Sequence, residues 1–295
     1  LTMRVRQPDF DFSNTRAHWA RNVEFAQTQN AASLGIPALE KFLNRVMAKA
    51  RKEIHGDDPA SVALRADIKT FIKQESCHTA AHEAANAVLV RDGYDRIPEL
   101  EREIEAHYQR LFETKSLAFL TAYCEGFETL GPASAMSWCG DSLDPYLEGS
   151  DPNMEMMFRW HLLEEFEHRH VCYDVFKRIH GGYWMRIYAF FYQLYFFGKY
   201  AGKVKKYLLE TDRAGMTEAE CKASKKREKG VSRMLAKSIL GNLLKVLSPS
   251  YRPHDLPVPT RWKKVESTID AAWIKPARTQ SPSSSVSGAA AAIQA

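Results

Sequence analysis

Two stretches of this sequence put ionisable side chains on helix faces that must be buried, and that conflict constrains the fold more than any other feature. The first is WHLLEEFEHRH at 160–170, with three glutamates and three histidines in eleven positions. On a helix turning about 100° per residue, with Glu165 at zero, His168 falls at about −60°, His161 at about −40° and Cys172 at about −20°. Met154, Met157 and Val175 share that face, so Glu165, His168 and His161 are expected to point into a core. Glu164 lies on the flank, whereas Glu167, His170 and Asp174 fall on the far side, towards solvent or another element.

The second stretch, FIKQESCHTAAH at 71–82, repeats the pattern, because Ile68, Phe71, Glu75, His78, His82 and Leu89 form one continuous stripe. An unpaired buried carboxylate costs several kcal/mol, so such stripes require partners. Two buried Glu-x-x-His pairs on separate helices are the arrangement by which helical bundles hold two metal ions, and it needs one further glutamate from each of two other helices. Glu40 qualifies, on a stripe with Ile36, Leu43 and Met47. Glu125 qualifies beside Leu111, Ala118, Thr121 and Ala122, with Glu128 one turn on as its nearest competitor. The expected ligands are therefore Glu40, Glu75, His78, Glu125, Glu165 and His168, with His82 and His161 as additional ligands or as hydrogen-bond partners of ligands. Glu164 is expected to orient His78 or a bound water from the flank.

The rest of the chain supports an all-α fold, a ferritin-like four-helix bundle with a di-metal site and additional C-terminal helices. Start and stop signals place helices from Ser33 or Pro37, from Asp57-Asp58-Pro59 to about Asp92-Gly93, from Pro98 to Thr129, and from Ser150-Asp151-Pro152 to about His180. A connection rich in Gly, Ser, Asp and Pro is expected at 131–153, and two further helices at about 183–210 and 216–247. The domain reading is an N-terminal arm at 1–32, a helical domain at 33–257 and an irregular tail at 258–295 ending in QSPSSSVSGAAAAIQA. The segment YWMRIYAFFYQLYFFGKYA is too short between Arg186 and Lys199 for the roughly 18 residues of a membrane span, and reads as a core or pocket-lining helix. Peripheral membrane contact is not favoured. The basic run CKASKKREKGVSRMLAK at 221–237 reads as a solvated helix face, and with a net charge of only +5 no nucleic-acid partner is expected. Five cysteines, odd in number and without a CxxC pair, fit a reducing cytoplasm, and the N-terminal residues carry no export signal.

At IPALEKF, FIKQESCHTAAH, LTAYCEGFE, WHLLEEFEHRHVCYDVF and SYRPHDLP, spanning about residues 35–257, the sequence resembles a family of bacterial proteins labelled predicted metal-dependent hydrolases, whose members look like ferritin-fold di-iron proteins. Where that family usually has a histidine after the third-helix glutamate, this chain has Gly126. The resemblance implies the same six ligands.

An oxygen-rich site with imidazoles favours iron, with manganese or a mixed iron–manganese pair as alternatives. The leading expectation is an O2-activating di-iron oxygenase or oxidase, with O2 as co-substrate, an external electron donor and a small apolar or aromatic substrate. The alternative is a metal-dependent hydrolase using a metal-bound water at the same site. Ala118, Thr121 and Ala122 are expected to leave room for that substrate, with the aromatic helix at 183–198 as its wall. Homo-oligomerisation is open.

Overall fold

The computed structural model describes residues 1–273. Its α-helices are α1 (Val23–Ser33), α2 (Ile36–Glu53), α3 (Pro59–Arg91), α4 (Ile97–Thr114), α5 (Leu117–Glu128), α6 (Leu130–Trp138), α7 (Asp144–Leu147), α8 (Pro152–His168), α9 (Val171–Ile179), α10 (Tyr183–Arg213), α11 (Glu218–Val246) and α12 (Trp262–Trp273). No strand occurs among the described residues. The start signals hold: the Asp58 carboxylate accepts from the Ser61 N–H ahead of Pro59, and that of Asp151 accepts from Asn153 and Met154 N–H.

Four helical walls enclose one buried polar cluster. Around it α2 packs on α3 and α5, α3 on α8 and α9, and α5 on α9, while α6 packs on α8 and α10 closes the outside of α5. Cross-links fix the direction of α8 against α3: Gln74 meets His168, His78 meets Glu164 and His82 meets His161. The two helices therefore run antiparallel, which sets their Glu-x-x-His pairs against each other.

The structure divides two of the expected helices. The segment expected at 98–129 breaks at Lys115-Ser116, where extended Ser116 caps α5 by accepting from the Phe119 N–H. The segment expected at 150–180 breaks after His168, where the Arg169 guanidinium bonds the carbonyl oxygens of Phe166 and Pro253 and satisfies the freed backbone. Helices α6 and α7 occupy the expected connection at 131–153, α1 occupies part of the expected arm, and α12 lies in the expected tail. The stretch QSPSSSVSGAAAAIQA lies outside the described residues.

The N-terminal arm is structural. Arg6, Phe12 and Trp19 are buried, and Arg6 forms ion pairs with Glu164, Glu167 and Asp270 at 3.1, 2.9 and 2.8 Å, tying the arm to α8 and α12. Gly126 has an equally local cause. A Cβ there would lie 2.9 Å from the Phe190 Cα, so its absence lets α10 pack directly on the α5 backbone. Gly126→Ala should lower stability by about 1–2 kcal/mol in denaturant unfolding, because overpacking against backbone outweighs the gain in helix propensity.

Candidate metal centre

Two groups of donor atoms converge inside the bundle. Glu40, His78 and His161 form one, and Glu75, Glu128, Glu165 and His168 form the other, the donor atoms within each group all lying within 4.8 Å of one another. Every one of these side chains is buried. Two carboxylates span the groups. Oε1 of Glu165 lies 3.2 Å from His161 Nε2 and 3.4 Å from His168 Nε2, and Oε1 of Glu75 lies 3.2 Å from His168 Nε2 and 3.7 Å from His78 Nδ1.

These close approaches are mostly not hydrogen bonds. Both oxygens of Glu75 and Glu128, Oε1 of Glu40, Oε2 of Glu165, Nδ1 of His78 and Nε2 of His168 lack a hydrogen-bond partner. Buried polar atoms are rarely left so, and these belong to the residues of the two donor groups. The donor set, four carboxylates and three imidazoles, fits two hard or borderline divalent cations.

The surroundings prepare the imidazoles for that role. The Nε2–H of His78 can donate to Glu164 Oε2 at 3.2 Å, leaving Nδ1 as the inward lone pair. The Nδ1–H of His168 can donate to Gln74 Oε1 at 3.2 Å, and the Gln74 amide is fixed because its NH2 donates to Glu167 and to the Arg4 carbonyl. Behind His161 a chain runs outward: its Nδ1 is 2.6 Å from His82 Nε2, His82 Nδ1 is 2.7 Å from Ser33 Oγ, and Ser33 donates to Asn86 Oδ1. One set of tautomers satisfies all three networks, and it turns one lone pair from each ring into the cluster.

Electrostatics sets His78 and His168 apart from His82. Burial, followed by the charge of Glu75, drives the Glu40 carboxyl well above its usual range. Burial also opposes charge on His78 and His168, yet Glu164, Glu75, Glu165 and Glu128 hold both well above the usual imidazole range, so a metal ion would compete there with protons. Burial and the neighbouring imidazoles hold His82 well below it, which keeps His82 the neutral acceptor that His161 needs.

The structure brings Glu40, Glu75, His78, Glu165 and His168 together, and of the two further histidines expected as ligands or partners of ligands it places His161 among them. His82 stands behind His161, outside both groups, and Glu164 orients His78. Glu125 is the correction. It lies outside the cluster with Oε1 at 3.8 Å from Arg186 Nη1, and burial, partly offset by Arg186, pushes its carboxyl up to about 8. Glu128 takes the expected position, because Gly126 turns that flank of α5 towards α10 and leaves Glu128 about 160° away from it. Glu167, expected to face solvent or another element, is buried against Arg6 of the N-terminal arm.

A cavity of about 170 Å³ reaches the cluster from the His161 side. Phe127, Leu130, Phe158 and Phe197 are among its walls, and His161, Glu165 and His82 lie along it. Ala118, Thr121 and Ala122 do not line it, so the expected substrate space beside Glu125 is replaced by this one, while the aromatic helix contributes Phe197. Gly131 also has a positional cause: a Cβ there would collide with the Glu165 carboxylate.

The chain belongs to the family described as predicted metal-dependent hydrolase, whose model matches residues 4–256. No curated protein and no solved structure matches it.

Metal analysis of Mn-loaded variants tests the ligand set. Glu128→Gln should lose at least one ion per chain, whereas Glu125→Gln should bind as wild type does. His161→Ala should also lose an ion. His82→Ala should keep the stoichiometry but weaken affinity about 10–100-fold, the usual effect of removing a ligand's orienting partner.

Proposed function

We propose that this chain hydrolyses a small, uncharged, largely apolar ester or amide, using two divalent cations held by the Glu40–His78–His161 and Glu75–Glu128–Glu165–His168 groups. The observation that carries the reading is that the apolar cavity ends on His161 and Glu165, one member of each donor group, so a molecule seated there lies against both. Bound in these groups, the cations would supply Lewis acidity, polarising a carbonyl and acidifying a water. Iron or manganese suits the oxygen-rich donor set.

The protein's own contribution is positioning and selection. Glu75 and Glu165 span the two groups and set their spacing, while Glu164, Gln74 and His82 hold the imidazoles in orientation. The aromatic walls exclude bulk water and favour an apolar acyl or leaving group. No lysine or arginine among the described residues lines the cavity, so a charge carried along its walls, away from the cations, would lose hydration without a side-chain partner. The volume, below the roughly 300–1,000 Å³ usual for ligand pockets, limits substrate size.

The O2-activating reading remains as a second proposal for one reason: two Glu-x-x-His pairs and two further glutamates on separate helices are the donor set of di-iron carboxylate bundles. Family membership supports hydrolysis and lends no support to oxidoreduction.

A substrate panel separates the readings. The Mn- or Fe-loaded chain should cleave short-chain p-nitrophenyl esters or anilides, lose that activity to a chelator, and cleave p-nitrophenyl esters with a charged acyl chain far more slowly. Oxygen uptake by the ferrous protein, together with no chelator-sensitive cleavage of any panel member, would instead favour the second reading.

A further inference from the structure

Helix α10 carries four large apolar side chains that are half or more exposed. Trp184, Tyr188, Phe191 and Tyr195 are 79, 57, 50 and 71% exposed. Their spacing of four, three and four residues places them within about 60° of one another on the helix. Exposed Lys199 and Lys206 continue the same stripe towards the C-terminus.

Helix α11 repeats the pattern in reverse. Leu240 and Leu244 are 55 and 59% exposed near its C-terminus, and exposed Lys222, Lys226, Lys229, Arg233 and Lys237 precede them on one stripe. Between Cys221 and Val246 the one acidic residue is Glu228, and it is tied to Arg213 and Lys205.

The two helices lie side by side and antiparallel. Tyr183 donates to the Leu247 carbonyl, Arg186 to that of Val246 and Arg213 to Ser224 Oγ. The aromatic end of α10 thus adjoins the leucine end of α11, and the lysine end of one adjoins the basic end of the other. The outward directions also agree. On α10 the residues turned towards α11 (Phe190, Leu194, Lys205) lie about 80–140° from the exposed stripe, and on α11 those turned towards α10 (Glu228, Ser232, Leu243) lie about 80–140° from its stripe in the same rotational sense. For antiparallel neighbours that relation makes both stripes face the same way.

We infer that this α10–α11 face docks on the surface of a bilayer containing anionic phospholipid. Its halves match what such a surface offers: aromatic rings and leucines for the headgroup and upper acyl region, and a basic field for the phosphates. Charge decides against a second copy as occupant, because a copy would bring the same lysine excess. The contact is peripheral, since no helix among the described residues is long and apolar enough to cross a membrane.

Cosedimentation of the full chain with vesicles tests this. Binding is expected to phosphatidylcholine vesicles containing phosphatidylglycerol, to be absent with phosphatidylcholine alone, and to weaken with added salt. Trp184→Ser with Tyr195→Ser, and separately Lys226→Glu, Lys229→Glu and Lys237→Glu together, should each weaken binding about tenfold or more with unchanged melting temperature, since these side chains are exposed. No vesicle binding, equal binding to neutral vesicles, or full binding by both variants would overturn the inference. So would self-association that the aromatic variant abolishes while vesicles go unbound.

Discussion

Carboxylates buried against one another are the constraint on which the rest of this structure depends. Glu40, Glu75, Glu128 and Glu165 have side chains at most 3% exposed and converge with three imidazoles. Left alone, such groups would cost several kcal/mol each. Positive charge placed among them reverses that cost, and the unsatisfied inward atoms mark where it belongs. Helices α2, α3, α5 and α8 are the walls that deliver those atoms, and the antiparallel run of α3 and α8 makes two Glu-x-x-His pairs into one centre.

A surrounding layer keeps the centre in shape. Glu164 and Glu167 are themselves buried, and Arg6 of the N-terminal arm forms ion pairs with both. Through Glu164 that arm reaches His78, and through Glu167 it reaches Gln74 and then His168. The arm is thus part of the site's support, in keeping with a family match that begins at residue 4. Small residues matter as much as charged ones: Gly131 leaves space for the Glu165 carboxylate, and Gly126 lets α10 close on α5.

Much of this was legible from helical periodicity, because a glutamate or histidine on an apolar stripe is a local signal. Glu40, Glu75, His78, Glu165 and His168 carry it, as do the acid–proline helix starts. Periodicity failed where two candidates share a stripe: Glu125 and Glu128 differ by about 60°, and only the close approach at Gly126 decides between them. It also could not find Arg6, whose partners lie more than 150 residues away, nor the helix breaks at Lys115-Ser116 and Arg169, which depend on capping and on tertiary hydrogen bonds. Helical angle places Glu167 on the far side of its helix, but what covers that side is a distant arm.

If this cluster holds two metal ions, anomalous difference density from crystals of the Mn-loaded chain will show two peaks, one among Glu40, His78 and His161 and one among Glu75, Glu128, Glu165 and His168, with Glu125 and His82 in contact with neither. A single peak, a peak on Glu125, or density elsewhere in the chain with the cluster vacant would contradict this occupancy.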